Sequence, residues 1–136
     1  MLFDGPVFFP TGKDILVVSR PKLIGLGKHF GVDFQNGTVV HFTDKSQIEF
    51  VTIEQFAQSR DVTIERLVPN QKSFEIRDRL IWLMQNPQQY RLGDWNCETF
   101  TTWLTEGKAA SAQVNGFAAI AAVLAVLAAV QRVKPL

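Results

Sequence analysis

The segment "IGLGKHFGVDFQNGTVVHFTD" at residues 24–44 decides the fold, because its register fixes where both histidines of the chain point. β-Branched and aromatic residues flank Asn36-Gly37, the dipeptide of a tight hairpin turn. A two-residue loop would pair Val32 with His41 and Gly31 with Phe42, setting large against small and polar against apolar. A three-residue loop, Gln35-Asn36-Gly37 with Gly37 left-handed, pairs Phe30 with Phe42 and Val32 with Val40. Those apolar pairs stabilise one face, so the second register is preferred. The other face then carries His29, Gly31, Asp33 and His41, with Gly31 opposite His41. The two histidines fall on diagonal positions, roughly 7–8 Å apart at the backbone. A slip of one residue would send them to opposite faces.

Outward from the hairpin, "DILVVSR" at residues 14–20 is an apolar, β-branched run ended by Pro21, and reads as a strand. Thr52 with Gln55 three residues later is the capping-box pattern of a short helix. Residues 61–68 alternate as another strand, closed by Pro69-Asn70. Residues 73–86 follow a helical period, with Ile76, Leu80, Leu83 and Met84 as the apolar stripe, Ser73 as N-cap and Pro87 after the end. In "YRLGDWNCETFTTWLTEG" at residues 90–107, Asp94 is the expected N-cap, which places Cys97 in the first turn of a last helix. Phe100, Trp103 and Leu104 continue its buried face and Gly107 ends it. The expected fold is α+β, a small antiparallel sheet with helices packed on it.

The chain has 136 residues, of which 46% are hydrophobic and 20% charged, enough for one domain with a real core. Its net charge is +1 with no dense basic run, so nucleic acid is not an expected partner. A single cysteine excludes an internal disulfide and fits a reducing compartment. The first residues, "MLFDGPVFFP", lack a basic segment followed by an apolar one, so no signal peptide is expected.

Cys97 is the residue with chemistry to offer. The attacking species of a cysteine is the thiolate, and the first turn of a helix stabilises an anion through unpaired N–H groups and the helix dipole. An imidazole within reach acts as ion-pair partner or general base, and the same N–H groups can hold the oxyanion of a tetrahedral intermediate. The bland alternative is a buried apolar filler, a common fate of free cysteine, and spacing alone does not choose between the two. Cys97, His29 and His41 could also supply three zinc ligands, but no C-x-x-C or H-x-x-x-H pair supports this, so neither metal nor cofactor is expected.

Three segments together resemble the lecithin retinol acyltransferase-like family, which includes phospholipid-metabolising acyltransferases related to the H-ras-like suppressors. They are "KHFGVDFQNGTVVHF", "YRLGDWNCETFTTW" and "GKAASAQV", and the resemblance spans about residues 14–114. It implies a permuted papain-like NlpC/P60 fold, with the histidine strands preceding the cysteine helix. It also implies roles: Cys97 as nucleophile, His29 as general base, and His41 as the polar group that orients His29. Such enzymes take an acyl group from a glycerophospholipid, hold it as a thioester, and pass it to an alcohol, an amine or water. One departure is clear: the family's "N-C-E-H-F" is here "N-C-E-T-F", with Thr99 in the fourth place. The triad is untouched by it, whereas substrate preference is open. The long insert of the retinol-specific branch is absent, which argues against retinol esterification. A thiol peptidase or amidase of the NlpC/P60 type, and a non-enzymatic membrane-tethered interaction module, are the competing readings.

The chain divides into a body at residues 1–115 and an apolar C-terminal helix at residues 116–136. "GFAAIAAVLAVLAAV" carries no charge over 15 residues, followed by Arg132 and Lys134. Its large residues fall on one half of a helical wheel and most alanines on the other, a pattern that permits close helix approach. A 15-residue run reaches about 22 Å as a helix, against roughly 30 Å for a bilayer core. Length alone therefore leaves three placements: spanning, lying in the interface, or docking on the body. With the resemblance added, membrane association is expected, at the cytoplasmic face of a membrane or with the chain in the cytoplasm. The acyl donor of such an enzyme does not leave the bilayer.

Overall fold

In the computed structural model, which describes residues 12–22 and 27–108, the three-residue hairpin register is the one adopted. Strand β2 (Lys28–Asp33) pairs antiparallel with β3 (Val39–Phe42), Gly31 opposite His41 and Val32 opposite Val40. Phe34 and Thr38 close the loop, and Gly37 has φ +91°. On one side of this hairpin lies β1 (Ile15–Pro21), then β5 (Thr63–Val68). On the other lies β4 (Ile48–Val51), a strand the sequence reading had not assigned. The sheet order is β4-β3-β2-β1-β5, and every neighbouring pair is antiparallel.

Side-chain alternation sorts the two faces. Val17, Phe30, Val32, Val40 and Phe42 point to one side, where α2 (Ser73–Gln85) and α3 (Cys97–Glu106) bury Ile76, Leu80, Leu83, Phe100 and Leu104 against them. Phe42 stacks on Phe100 at 5.2 Å between ring centroids. The opposite face is covered by the short α1 (Ile53–Ala57), whose Phe56 packs with Val18 and Val39. The capping box of α1 is present as expected: Thr52 Oγ1 accepts from the Gln55 N–H, and Gln55 Oε1 from that of Thr52.

Two expected caps differ. Ser73 is the first residue of α2 and not its N-cap; a 3-10 turn over Asn70–Lys72 leads into the helix, and the Ser73 hydroxyl donates to the Asn70 carbonyl at 2.6 Å. The N-cap of α3 is Asn96, not Asp94, which instead forms an exposed ion pair with Arg91. Cys97 is thereby the first residue of the helix, still within its first turn. Gly107 ends α3 at φ +77°. Among the described residues no helix is long and apolar enough to cross a membrane. The proposed apolar helix at residues 116–136 and the boundary before it lie outside the described residues.

Candidate active site

Arg20, His29, His41 and Glu49 belong to four adjacent strands and share the α1 face of the sheet. Arg20 lies opposite His29 in the β1–β2 ladder, and His41 opposite Glu49 in the β3–β4 ladder. Across this row the side chains connect. His41 Nε2 is 3.1 Å from Glu49 Oε1, and His29 Nε2 is 2.6 Å from His41 Nδ1. A carboxylate at Glu49 accepts, so His41 carries its proton on Nε2 and offers a lone pair at Nδ1. His29 then donates from Nε2, which leaves the lone pair of its Nδ1 outside the chain of hydrogen bonds. One imidazole is thus oriented by a second, and the second by a carboxylate.

A missing side chain makes room for this pair. A Cβ on Gly31 would stand 2.8 Å from Cε2 of Phe56 and 3.0 Å from Cγ1 of Val39. With glycine there, the Phe56 ring stacks against His29 at 5.5 Å and meets His41 edge-on at 5.8 Å. Arg20, almost fully buried, holds this aromatic from behind: its Nε donates to the Phe56 carbonyl at 2.7 Å. The guanidinium also lies 5.7 Å from the Phe56 ring centroid.

The thiol approaches from the other face. The β2–β3 ladder ends at Gly31–His41, while β2 runs on through Lys28–Phe30 against β1. At that extension Cys97 Sγ donates to the Lys28 carbonyl at 3.8 Å, one residue from His29. Cys97, His29 and His41 line one cavity of about 340 Å³, with Arg20, Lys22 and Tyr90 among its walls. The three residues expected to form the site are therefore gathered around a single space. Thr99 is buried and lies away from that wall; its N–H and hydroxyl both donate to Asn96 Oδ1, at 3.0 and 3.2 Å.

Burial sets the protonation states. Desolvation, then the fields of His41, Arg20 and Lys22, push His29 down to about 3. His41 is also lowered, chiefly by burial, although Glu49 pulls the other way. Burial pushes the Cys97 thiol up despite opposing help from the Phe30 and Glu98 backbone groups and from Lys22. With the thiol raised and the imidazole lowered, the cavity holds a neutral thiol and a neutral imidazole and not a preformed ion pair. Among the described residues no His/Cys/Asp/Glu group is arranged to hold a metal ion.

The sequence reading missed Glu49, Arg20 and Phe56. Glu49 stands in the unassigned strand β4, and its alternation with His41 across the ladder was the signal that could have found it. Arg20 and Phe56 are placed by β1 pairing and by α1 packing, which no local pattern announces.

A buried thiol at the start of a helix and a strand-borne histidine pair line one cavity of an α+β domain, the side chains that thiol-based nucleophilic chemistry needs. Residues 10–110 match the family model described as lecithin retinol acyltransferase, and the chain belongs to that family. The family is one of acyltransferases associated with phospholipid chemistry. No match to the chain was found among curated proteins or among solved structures.

Proposed function

We propose that the chain is a cysteine-dependent acyltransferase or acyl hydrolase that acts on glycerophospholipids through a thioester on Cys97. The observation that carries this reading is the hydrogen-bonded series Glu49–His41–His29, whose last member lines the same cavity as Cys97. Family membership supports the substrate class. In this scheme the fold is a permuted papain-like NlpC/P60 arrangement, with both histidine strands ahead of the cysteine helix.

The steps follow from the protonation states. His29 Nδ1 takes the Cys97 proton as sulfur attacks the acyl carbonyl, because neither group is charged beforehand. Asn96 Oδ1 occupies the N–H groups of Glu98 and Thr99, so among the described residues the backbone N–H of Cys97 is the first-turn donor to offer the developing oxyanion. Collapse breaks the ester C–O bond, and the leaving lysophospholipid oxygen takes the proton back from His29. Water, an alcohol or an amine then attacks the thioester, giving its proton to His29, and the thiol is restored. His41 holds the imidazole in the reactive tautomer and stabilises the charge that passes through it.

A thiol amidase acting on a peptide is the second reading, and one observation favours it. The cavity wall includes Arg20, Lys22, Asp44 and Glu49, charged groups that suit polar substrate subsites. A membrane-tethered module without activity has no use for the Glu49–His41–His29 series. We place the chain at a membrane, with residues 116–136 as its point of attachment, because the acyl donor resides there.

Intact-protein mass spectrometry after mixing the full chain with a mixed-chain phosphatidylcholine in detergent tests the proposal. An acyl adduct on the parent, absent from Cys97→Ala and removed by hydroxylamine, is expected. Absence of both adduct and lyso-lipid overturns the lipid reading in favour of the amidase, to be assayed on peptide libraries.

A further inference from the structure

Two cations stand on the β1 side of the Cys97 cavity with a third near them, and among the described residues none has an acidic partner. Arg20 and Lys22 line the cavity. Arg60, just beyond α1, is close enough for its charge to disfavour that of Arg20. Among the described residues none of the three forms an ion pair with a carboxylate. Arg20 is 8% exposed and spends its Nε and Nη1 on the Phe56 and Pro21 carbonyls, which are neutral acceptors. Among the described residues Arg60 buries its Nη1 with no hydrogen-bond partner.

Holding like charges together in a partly desolvated pocket is costly unless something anionic completes it. The carboxylates on the wall do not: Glu49 is engaged by His41, and Asp44 lies in the turn between β3 and β4. The cations are also within electrostatic reach of the reacting groups, since Arg20 and Lys22 both act on His29, and Lys22 on Cys97. A ligand anion seated there would therefore lie beside the thiol. Guanidinium and ammonium groups are the side chains that recognise phosphate, the first by paired N–H donors and the second as a point charge.

We infer that Arg20 and Lys22, backed by Arg60, form a phosphate-binding subsite that seats the phosphodiester of the acyl donor next to Cys97. The assignment of the donor rests on the phospholipid reading above; the anion site itself rests on the uncompensated cations. The subsite makes headgroup phosphate, and not the acyl chain alone, a determinant of which esters reach the thiol.

The test needs no turnover. Alkylation of Cys97 by iodoacetamide, an uncharged reagent, is timed in the full chain with sn-glycero-3-phosphocholine or with inorganic phosphate. Saturable protection by the diester is expected, with the half-protecting concentration raised at least tenfold in Lys22→Met and in Arg20→Met. Lys22 is only partly buried and forms no side-chain hydrogen bond among the described residues, so its variant remains informative if Arg20→Met fails to fold. Protection by inorganic phosphate but not by the diester overturns the lipid-donor assignment, whereas equal protection of parent and Lys22→Met overturns the subsite itself. Protection without lipid turnover removes the acyl-transfer reading and leaves the subsite standing. Lipid turnover without protection removes the subsite alone.

Discussion

His29 Nε2 and His41 Nδ1 face each other at 2.6 Å, and the partner of His41 on its far side is Glu49 at 3.1 Å. The carboxylate decides which nitrogen of each ring holds a proton, so it acts on the site at two removes. Glu49 is a positioning residue by this argument, since it touches neither the thiol nor the cavity's reacting atoms directly. Glu49→Leu is expected to slow thioester formation about tenfold, and His41→Ala by a further one to two orders of magnitude, the scale of losing an oriented general base. Glu49→Gln keeps an acceptor oxygen and is expected to recover most of the rate. The Glu49 side chain is 45% exposed, so thermal unfolding should hardly change. A rate equally poor in the Gln and Leu variants would show that the tautomer argument is wrong.

Gly31 is required by space and not by backbone conformation. A methyl there would press on Val39 at 3.0 Å and at 2.8 Å on the Phe56 ring, which packs against both histidines. Gly31→Ala is expected to lose about 1–3 kcal/mol of stability from overpacking. Adding Phe56→Leu to that variant relieves the clash, so unfolding should shift back toward the parent. Activity should not follow, because the ring that flanks His29 and His41 has gone. Denaturant unfolding and thioester mass, measured on the same three proteins, separate the two effects.

What the sequence made legible was what local chemistry dictates. Hairpin register followed from matching Phe and Val across a turn, and with it the shared face of His29 and His41. The capping box at Thr52 and the stop at Gly107 were equally local. Asn96 was not legible as the N-cap of α3, because Asp94 and Asn96 are both good capping residues and only the bridge between Arg91 and Trp95 turns the chain so that Asn96 takes the role. Glu49 and Arg20 stayed hidden for another reason. Each acts through a cross-strand neighbour, and such neighbours depend on pairings between segments distant in sequence.

Asn96 links the cap to the chemistry. Its Oδ1 accepts from Glu98 N, Thr99 N and Thr99 Oγ1, and its Nδ2 donates to the Leu92 carbonyl at 2.9 Å. Asn96→Ala removes the cap and strands several buried groups, and should cost about 2–3 kcal/mol. Asn96→Asp keeps the acceptor and should retain more stability. It also sets a negative charge beside Cys97, which disfavours the thiolate, so acylation should slow in Asp although the fold survives. Faster acylation in Asp than in the parent would contradict the electrostatic account.

Protonation of the resting site gives the last test. Burial raises the Cys97 thiol, and His29 is held down to about 3, so around neutral pH neither group is charged. A thiolate–imidazolium pair would show a plateau of iodoacetamide reactivity from about pH 5 to 8, whereas a raised thiol reacts ever faster as pH climbs through about 9. The second profile is expected. Stability has the opposite limb to watch. The His29 value is depressed on folding, so the unfolded chain binds the extra proton below about pH 6.5 and stability falls as pH drops from there toward 3. Above about pH 6.5 that contribution is complete. Acid should therefore unfold the protein before it protonates the base, and thioester formation per folded molecule should persist below the range where an ordinary histidine would already be charged. A reactivity plateau in mild acid, with stability unchanged over the same range, would mean that the resting pair is ionic and that His29 carries its proton before substrate arrives.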